Sequence, residues 1–301
     1  MRILVTGGTG FIGGAIARKL VENGHEVLIT GTQSEIVPPN VKLLPLHLTG
    51  IDWNALEGVE AVFHEAAIND TTFKDRKQML QANFYGSITL FNNLLGLGCK
   101  KFIYASSTAA YGDSPAPYIE SKTKLNPLNV YAESKALFEE FAEEFGRGNR
   151  GLNVNVVGLR YCNVYGPGEG HKGKRMSMIG QIARTLIRGE RPKLFTGGEQ
   201  KRDWIYVDDV VSANLAALNF EGTDVFNCGS GAATSFNQIT EILNNGLNLN
   251  IEPEYIPNPY EGAYQDYTEC DMSKAKELLK FKPKFDIVKG INSYIQQGFD
   301  R

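Results

Sequence analysis

No hydrophobic run in this sequence approaches the roughly 20 residues needed to span a bilayer. No charged leader with an apolar core precedes the first strand-like segment, so the expectation is a protein without a membrane segment that works in the cytoplasm. Cysteine is sparse: Cys99, Cys162, Cys228 and Cys270 stand far apart in the chain. No CxxC and no Cys/His spacing occurs, which argues against a zinc module or a disulfide framework and leaves four reduced, packed thiols as the expectation. Positive charge is not in excess. The 31 Lys and Arg against 34 Asp and Glu give a formal charge of −3. A nucleic-acid or anionic-membrane surface needs a clustered positive excess, so neither is expected as a partner. Internal repeats, low-complexity tracts and linkers are also missing.

What the sequence has in plenty is glycine: 32 in 301 residues, against roughly 7% in average proteins. Glycine in such numbers, without a repeat, marks tight turns or backbone that must approach a ligand. The first half alternates strand and helix patterns. Short apolar runs stand at residues 3–6, 25–30, 41–46, 61–64, 101–105 and 152–160. Helical periodicity fills residues 11–23, 76–97 and 132–145. Strands alternating with helices imply βαβ units, parallel pairing and right-handed crossovers. Beyond Tyr165 the pattern loosens into a Gly/Lys/Arg-rich stretch at 166–175 and a Pro/Tyr-rich one at 251–267, which read as loops of a smaller lobe covering the first.

The segment Thr6-Gly-Gly-Thr-Gly-Phe-Ile-Gly13 joins the first strand to the first helix. Glycines at 7, 10 and 13 let the chain turn sharply and bring a pyrophosphate onto backbone amides at the positive end of a helix. Gly7, Gly10, Phe11, Ile12 and Gly13 are therefore the candidate dinucleotide cradle. At the end of the second strand an acid would bind the adenosine ribose and repel a 2′-phosphate. Here Thr30-Gly-Thr-Gln-Ser34 carries hydroxyls and an amide, Thr32 among them, and no acid before Glu35. The cofactor read from this is NADP, with NAD as the alternative.

Tyr131-Ala-Glu-Ser-Lys135 opens a helix, and i,i+4 spacing puts the phenol and the ammonium on one face. A neighbouring ammonium, together with a positive nicotinamide, favours the phenolate, so Tyr131 is expected below its ordinary pKa, near 10, and able to exchange a proton with a hydroxyl or carbonyl. Upstream, a strand ends in Tyr104-Ala-Ser-Ser107, where Ser107 can bond the same oxygen.

Glycine turn, strand-end serine and Tyr-x-x-x-Lys in this order resemble the extended short-chain dehydrogenase/reductases, the nucleotide-sugar epimerase/dehydratase family. The likeness runs from Arg2 to about Gln297. It includes His64-Glu-Ala-Ala67, Asn83 in its Asn-Phe-Tyr-Gly-Ser run, Arg160-Tyr-Cys-Asn-Val-Tyr-Gly-Pro167 and Arg202-Asp-Trp-Ile-Tyr-Val-Asp-Asp209. The resemblance implies an α/β fold, a doubly wound parallel sheet (Rossmann) with a smaller mixed α/β substrate lobe. It divides the chain into 1–164 plus about 202–228 for the dinucleotide, and 165–201 plus 229–301 for the sugar. It implies an isomerase with His64 and Ala66 by the cofactor, Lys135 on the nicotinamide ribose and Asn83 supporting the Tyr131 helix. Asn163 and Arg202 fall on the substrate, with Arg202 clasping its diphosphate.

Dehydratases of the family carry Asp-Glu just after the strand-five serine or threonine; Thr108-Ala109-Ala110 stands here, so epimerisation or oxidoreduction is expected instead. Four segments are most similar to the ADP-L-glycero-D-manno-heptose 6-epimerases: residues 63–72, 126–131, 165–173 and 192–195. That similarity implies a second acid/base at Lys172 of Gly-His-Lys-Gly, with His171, Lys174, Gln181 and Tyr264 near the sugar. Lys174 and Gln181 depart from that family's small hydroxyl residue and histidine. Read from its residues alone, Lys172 is a basic loop residue binding phosphate. The alternatives are a UDP-hexose 4-epimerase with Tyr131 as sole acid/base, and a cofactor-binding sensor without turnover. A homo-oligomer is expected.

Overall fold

Twelve strands and nine α-helices order the described part of the chain, which in this computed structural model comprises residues 1–32, 37–44, 52–149, 151–258 and 266–299. The strands are β1 Arg2–Thr6, β2 Glu26–Thr30, β3 Lys42–Leu44, β4 Ala61–His64, β5 Lys101–Ser107, β6 Asn155–Tyr161, β7 Asn163–Tyr165, β8 Lys193–Phe195, β9 Lys201–Tyr206, β10 Thr223–Cys228, β11 Ala233–Ser235 and β12 Glu254–Ile256. The helices are α1 Phe11–Glu22, α2 Arg76–Leu80, α3 Gly86–Gly96, α4 Val130–Gly148, α5 Met178–Ile187, α6 Val207–Leu218, α7 Phe236–Leu247, α8 Ser273–Leu278 and α9 Ile287–Gln297.

The central sheet runs β10-β6-β5-β4-β1-β2-β3 with every pairing parallel. Its central strands β1, β2 and β4 are largely apolar on both faces because helices cover both. On one face α1 and α6 bury Ile16, Ala17, Leu20, Val210 and Ala213 against Ile3, Val5 and Ile29. On the other, α3 and α4 bury Leu90, Phe91, Leu94 and Phe138 against Leu4, Val62 and Phe102. This is the doubly wound Rossmann arrangement. Its strand order reverses between β1 and β4, which opens a crevice at the carboxyl ends of the strands.

A second, smaller assembly stands over that end. A three-stranded sheet, β11-β9-β7, and a two-stranded one, β12-β8, surround a separate core of α5, α7 and α9. The seventh strand of the large sheet, β10, is not among the six apolar runs read from sequence, since its Thr223-Asp-Val-Phe-Asn-Cys228 shows no continuous apolar run. The expected helix over 76–97 is broken by a π turn at Gln81–Tyr85, where Asn83 turns its side chain onto the chain beyond β4. No helix among the described residues is long and apolar enough to cross a membrane.

Candidate active site

The glycine turn lies where the sheet's crevice opens. Gly7 has φ +67°, a left-handed conformation, and a Cβ there would meet the backbone of Ala66. A Cβ on Gly13 would collide with the Gly7 carbonyl. Helix α1 starts at Phe11 after Gly10 with no side-chain cap. Its first-turn N–H groups are thus offered to an anion by the helix's own geometry. A cleft of about 950 Å³ extends from this turn, lined by Gly7, Gly10, Phe11, Ile12 and Gly13. It continues past Thr32 after β2 and past Ala66 and Asn83 on the other side. A backbone cradle that a Cβ would fill, at an uncapped helix start in a cleft of this size, fits a dinucleotide. Of the segment that follows β2, Thr30, Gly31 and Thr32 carry no charge; Gln33, Ser34 and Glu35 lie outside the described residues.

Beneath the cleft floor His64 is buried. Its Nε2 faces the Ser87 hydroxyl at 2.8 Å, and that hydroxyl donates to the Asn83 carbonyl at 2.6 Å. Nε2 must therefore carry the proton, and Nδ1 accepts from Thr6 Oγ1 at 2.7 Å. Burial, and then the Lys135 charge, hold the ring's pKa down at about 3. His64 is thus a neutral bracket for the floor and no base. Asn83 clasps Ile68, accepting from its N–H at 2.8 Å and donating to its carbonyl at 2.9 Å. It also donates to Ser134 on α4 at 3.1 Å.

Ser107 ends β5, its hydroxyl accepts from the Ala109 N–H at 3.1 Å, and it stands near enough to the Tyr131 phenol to influence its ionisation. Helix α4 is started by Asn129, whose Oδ1 accepts from the Ala132 N–H at 2.9 Å. Tyr131 is the second residue of that helix, and Lys135 lies one turn on, its Nζ 5.8 Å from the Tyr131 ring centre. Lys135 donates to the Ala105 carbonyl at 2.7 Å. Burial lowers its pKa to about 8, opposed by Glu65 and Glu139. In the chain by itself the Tyr131 phenol lies above its ordinary range: burial raises it, the Ser107 hydroxyl lowers it, and Glu65 raises it further. The ammonium by itself does not bring the phenol down, because it stands off the ring and is spent on a carbonyl; the expected lowering rests also on the positive nicotinamide.

Two features near this site went unassigned in the sequence. Glu65, half-buried and lining the cleft, accepts from the Tyr161 hydroxyl at 2.9 Å. Burial raises its carboxyl to about 7, against the Tyr161 bond and the Lys135 charge. An acid directly after an apolar strand was the available signal. Arg175, which lines the same cleft, comes from a segment about 165 residues past the glycine turn, and no local pattern joins the two.

The loop at Gly170–Arg175 brings His171, Lys172 and Arg175 to the cleft. The Lys172 ammonium lies 5.3 Å from the Phe11 ring centre and 4.0 Å from the Glu169 carboxylate. Burial lowers its pKa, Glu169 raises it and Arg175 lowers it. Glu169 is itself fully buried. It accepts from the Ser177 N–H and hydroxyl, both at 2.6 Å, and from the Tyr294 hydroxyl at 3.1 Å. Burial also lowers His171, and the Gly168 backbone opposes that shift. Gln181 donates to the Met176 and Lys174 carbonyls at 2.9 and 3.3 Å, which braces the loop end where Lys174 sits.

The remaining candidates lie in the small sheet. Asn163, on β7, donates to the Asp203 carbonyl at 3.1 Å. Arg202, on β9, is buried, donates to the Lys201 carbonyl at 2.8 Å and stands 5.9 Å from the Phe236 ring centre. Neither is part of the cleft's lining as described. Tyr264 lies outside the described residues.

Comparison with known proteins bears on the arrangement as a whole. Residues 3–229 match the model of the NAD dependent epimerase/dehydratase family. The structure of ADP-L-glycero-D-manno-heptose-6-epimerase from Helicobacter pylori is similar over 98% of this chain and 95% of that one, with TM-score 0.88 and 31% identity. UDP-glucose 4-epimerase from Thermotoga maritima is similar over 99% and 98%, with TM-score 0.90 and 32% identity. UDP-N-acetylglucosamine 4-epimerase from Methanobrevibacter ruminantium is similar over 98% and 97%, with TM-score 0.90 and 26% identity.

Proposed function

The chain belongs to the NAD dependent epimerase/dehydratase family, and within it we propose that it epimerises a nucleotide-activated sugar, an ADP-glycero-manno-heptose at C6″, with tightly held NADP. The observation that carries the reading is the Ser107–Tyr131–Lys135 cluster at the end of β5, joined through Glu65 to the cleft that the glycine cradle and a cationic loop line. The bound nicotinamide supplies a reversible hydride acceptor. Gly7, Gly10, Phe11, Ile12 and Gly13 hold its pyrophosphate, the uncharged Thr32 tolerates a 2′-phosphate, and Lys135 holds the nicotinamide ribose. Ser107 orients the sugar hydroxyl, and Tyr131 takes up or returns its proton. The positive nicotinamide is the missing influence that brings the phenol within range, since a nearby cation favours the phenolate. Lys172 serves the opposite face of the reacting carbon. For this it leaves the Phe11 ring and Glu169, and the left-handed Gly173 beside it (φ +55°) is a natural pivot. Residues 165–201 and 229–301 enclose the sugar, with Asn163 and Arg202 toward its diphosphate.

The second reading is a UDP-hexose 4-epimerase with Tyr131 as the sole acid/base. It is favoured by the resting place of Lys172 at the glycine turn, where a lysine suits a phosphate. Incubation with ADP-, GDP- and UDP-sugars, followed by proton NMR of the reacting carbon, separates the two by substrate. Lys172→Met separates them by mechanism. The two-base reading expects turnover to fall by about 100-fold or more, the scale of a lost acid/base group; near-intact turnover would leave Lys172 as a phosphate ligand.

A further inference from the structure

Cys162 follows β6 directly and Cys270 stands three residues past the bridge between Tyr267 and Lys201 of β9, yet their sulfurs lie 2.9 Å apart, 108 residues distant in sequence. We propose that Cys162 and Cys270 are a dithiol modification site, which a peroxide converts to an intramolecular disulfide tying β6 to the carboxyl-terminal segment. Both side chains are held in facing positions. The Cys270 N–H donates to Asp203 at 3.2 Å, and Cys270 is bridged to Tyr118. The Cys162 N–H donates to the Cys228 carbonyl at 2.9 Å. The Asp203 carboxylate lies close to the two sulfurs. Its oxygens already accept from Ser230 N and Oγ at 2.7 Å, Gly231 N at 3.1 Å and Cys270 N at 3.2 Å. That leaves the two sulfurs to react with each other.

The chemistry takes two steps. With Cys162 as the attacking thiolate, an S–O bond forms to the peroxide, the O–O bond breaks, and the first water leaves. The Cys270 sulfur then attacks the sulfenic sulfur, an S–S bond forms, the S–O bond breaks, and the second water leaves. Two thiols give up two electrons and two protons, and one peroxide becomes two waters. Burial raises both thiols, so the first step is slow and the contact makes the second fast.

The test is exposure of the full chain to hydrogen peroxide, alkylation of remaining thiols, and peptide mapping without reductant. A Cys162–Cys270 linked peptide is expected, reversed by dithiothreitol and accompanied by a rise in Tm of about 5 °C, as closure of a long loop predicts. The peptide and the Tm rise should both vanish in Cys270→Ser. Cys99 and Cys228 serve as internal controls. A Cys162 that ends as sulfinic acid, a Cys162–Cys228 link, or thiols that all remain alkylatable after methionines have oxidised would each overturn the proposal. The wild-type map decides even if Cys270→Ser folds poorly.

Discussion

At the scale of single residues the site is governed by what burial does to charge. His64 and Glu65 are neighbours whose pKa values move in opposite directions. His64 is held down at about 3 by burial and Lys135. Its contribution to stability is present above its ordinary value, near 6.5, and is lost as pH falls toward its folded value. Glu65 is raised from 4.5 to about 7. The folded state holds that proton longer, so its contribution is whole below its ordinary value and is lost as pH rises through about 7. Glu65→Gln keeps a carbonyl acceptor for Tyr161 and removes the titration. Its Tm relative to the wild type is expected to climb between about pH 5 and pH 8; a flat difference by thermal unfolding would contradict this. Tyr131→Phe removes the phenol while leaving the ring. Turnover is expected to drop by about 10²–10⁴-fold, read by NMR with the active nucleotide sugar. The spacing of Tyr131 and Lys135 was legible in the sequence. Glu65 as their charged neighbour was not, because the side chains approach from α4 and from the end of β4.

At the scale of elements, reactive side chains stand at starts and ends of regular structure. Ser107 is the last residue of β5, Glu65 follows β4, and Tyr131 is second in α4. Asn129 fixes where α4 begins, so Asn129→Ala is expected to cost about 1 kcal/mol in urea denaturation. It should lower turnover by more than that loss explains, because it frees the turn that aims Tyr131. Further along α4, buried Glu139 is bidentate to Arg160 of β6 and accepts from Ser106 of β5. That ties the helix to the strand carrying Ser107. The periodicity gave α1 and α4 within a few residues. The break at Gln81–Tyr85 was invisible to it, since Gly86 at its end keeps helical angles and Asn83 makes its bonds to Ile68 and Ser134 across space.

At the scale of the whole molecule, the two assemblies are interleaved along the chain. Strands β6 and β10 belong to the large sheet, while β7, β8 and β9 between them belong to the small ones. A ligand in the crevice therefore touches segments from much of the chain length, and binding should be felt by the fold as a unit. Free NADP at about 100 times its Kd is expected to stabilise by about 2.7 kcal/mol, a rise of several degrees in Tm. NAD at equal concentration should give a smaller shift, and Gly13→Val, which sets side-chain atoms against the Gly7 carbonyl, should abolish both. An equal or larger shift with NAD in a thermal unfolding assay would reverse the cofactor preference.

The sequence by itself determined the parallel α/β architecture, the dinucleotide cradle and the Ser107–Tyr131–Lys135 set. Each of these is written in local order: alternating periods, glycines three apart, a tyrosine and a lysine one turn apart. Only the tertiary structure decided which groups share space without sharing sequence. It placed Lys172 against Phe11, Arg175 in the lining of the crevice, Glu65 beside Tyr161 within reach of the Tyr131 and Lys135 charges, and Cys162 against Cys270. The physical reason is that a parallel sheet brings the ends of distant strands to one edge. There, burial and neighbouring charge set what each group can do.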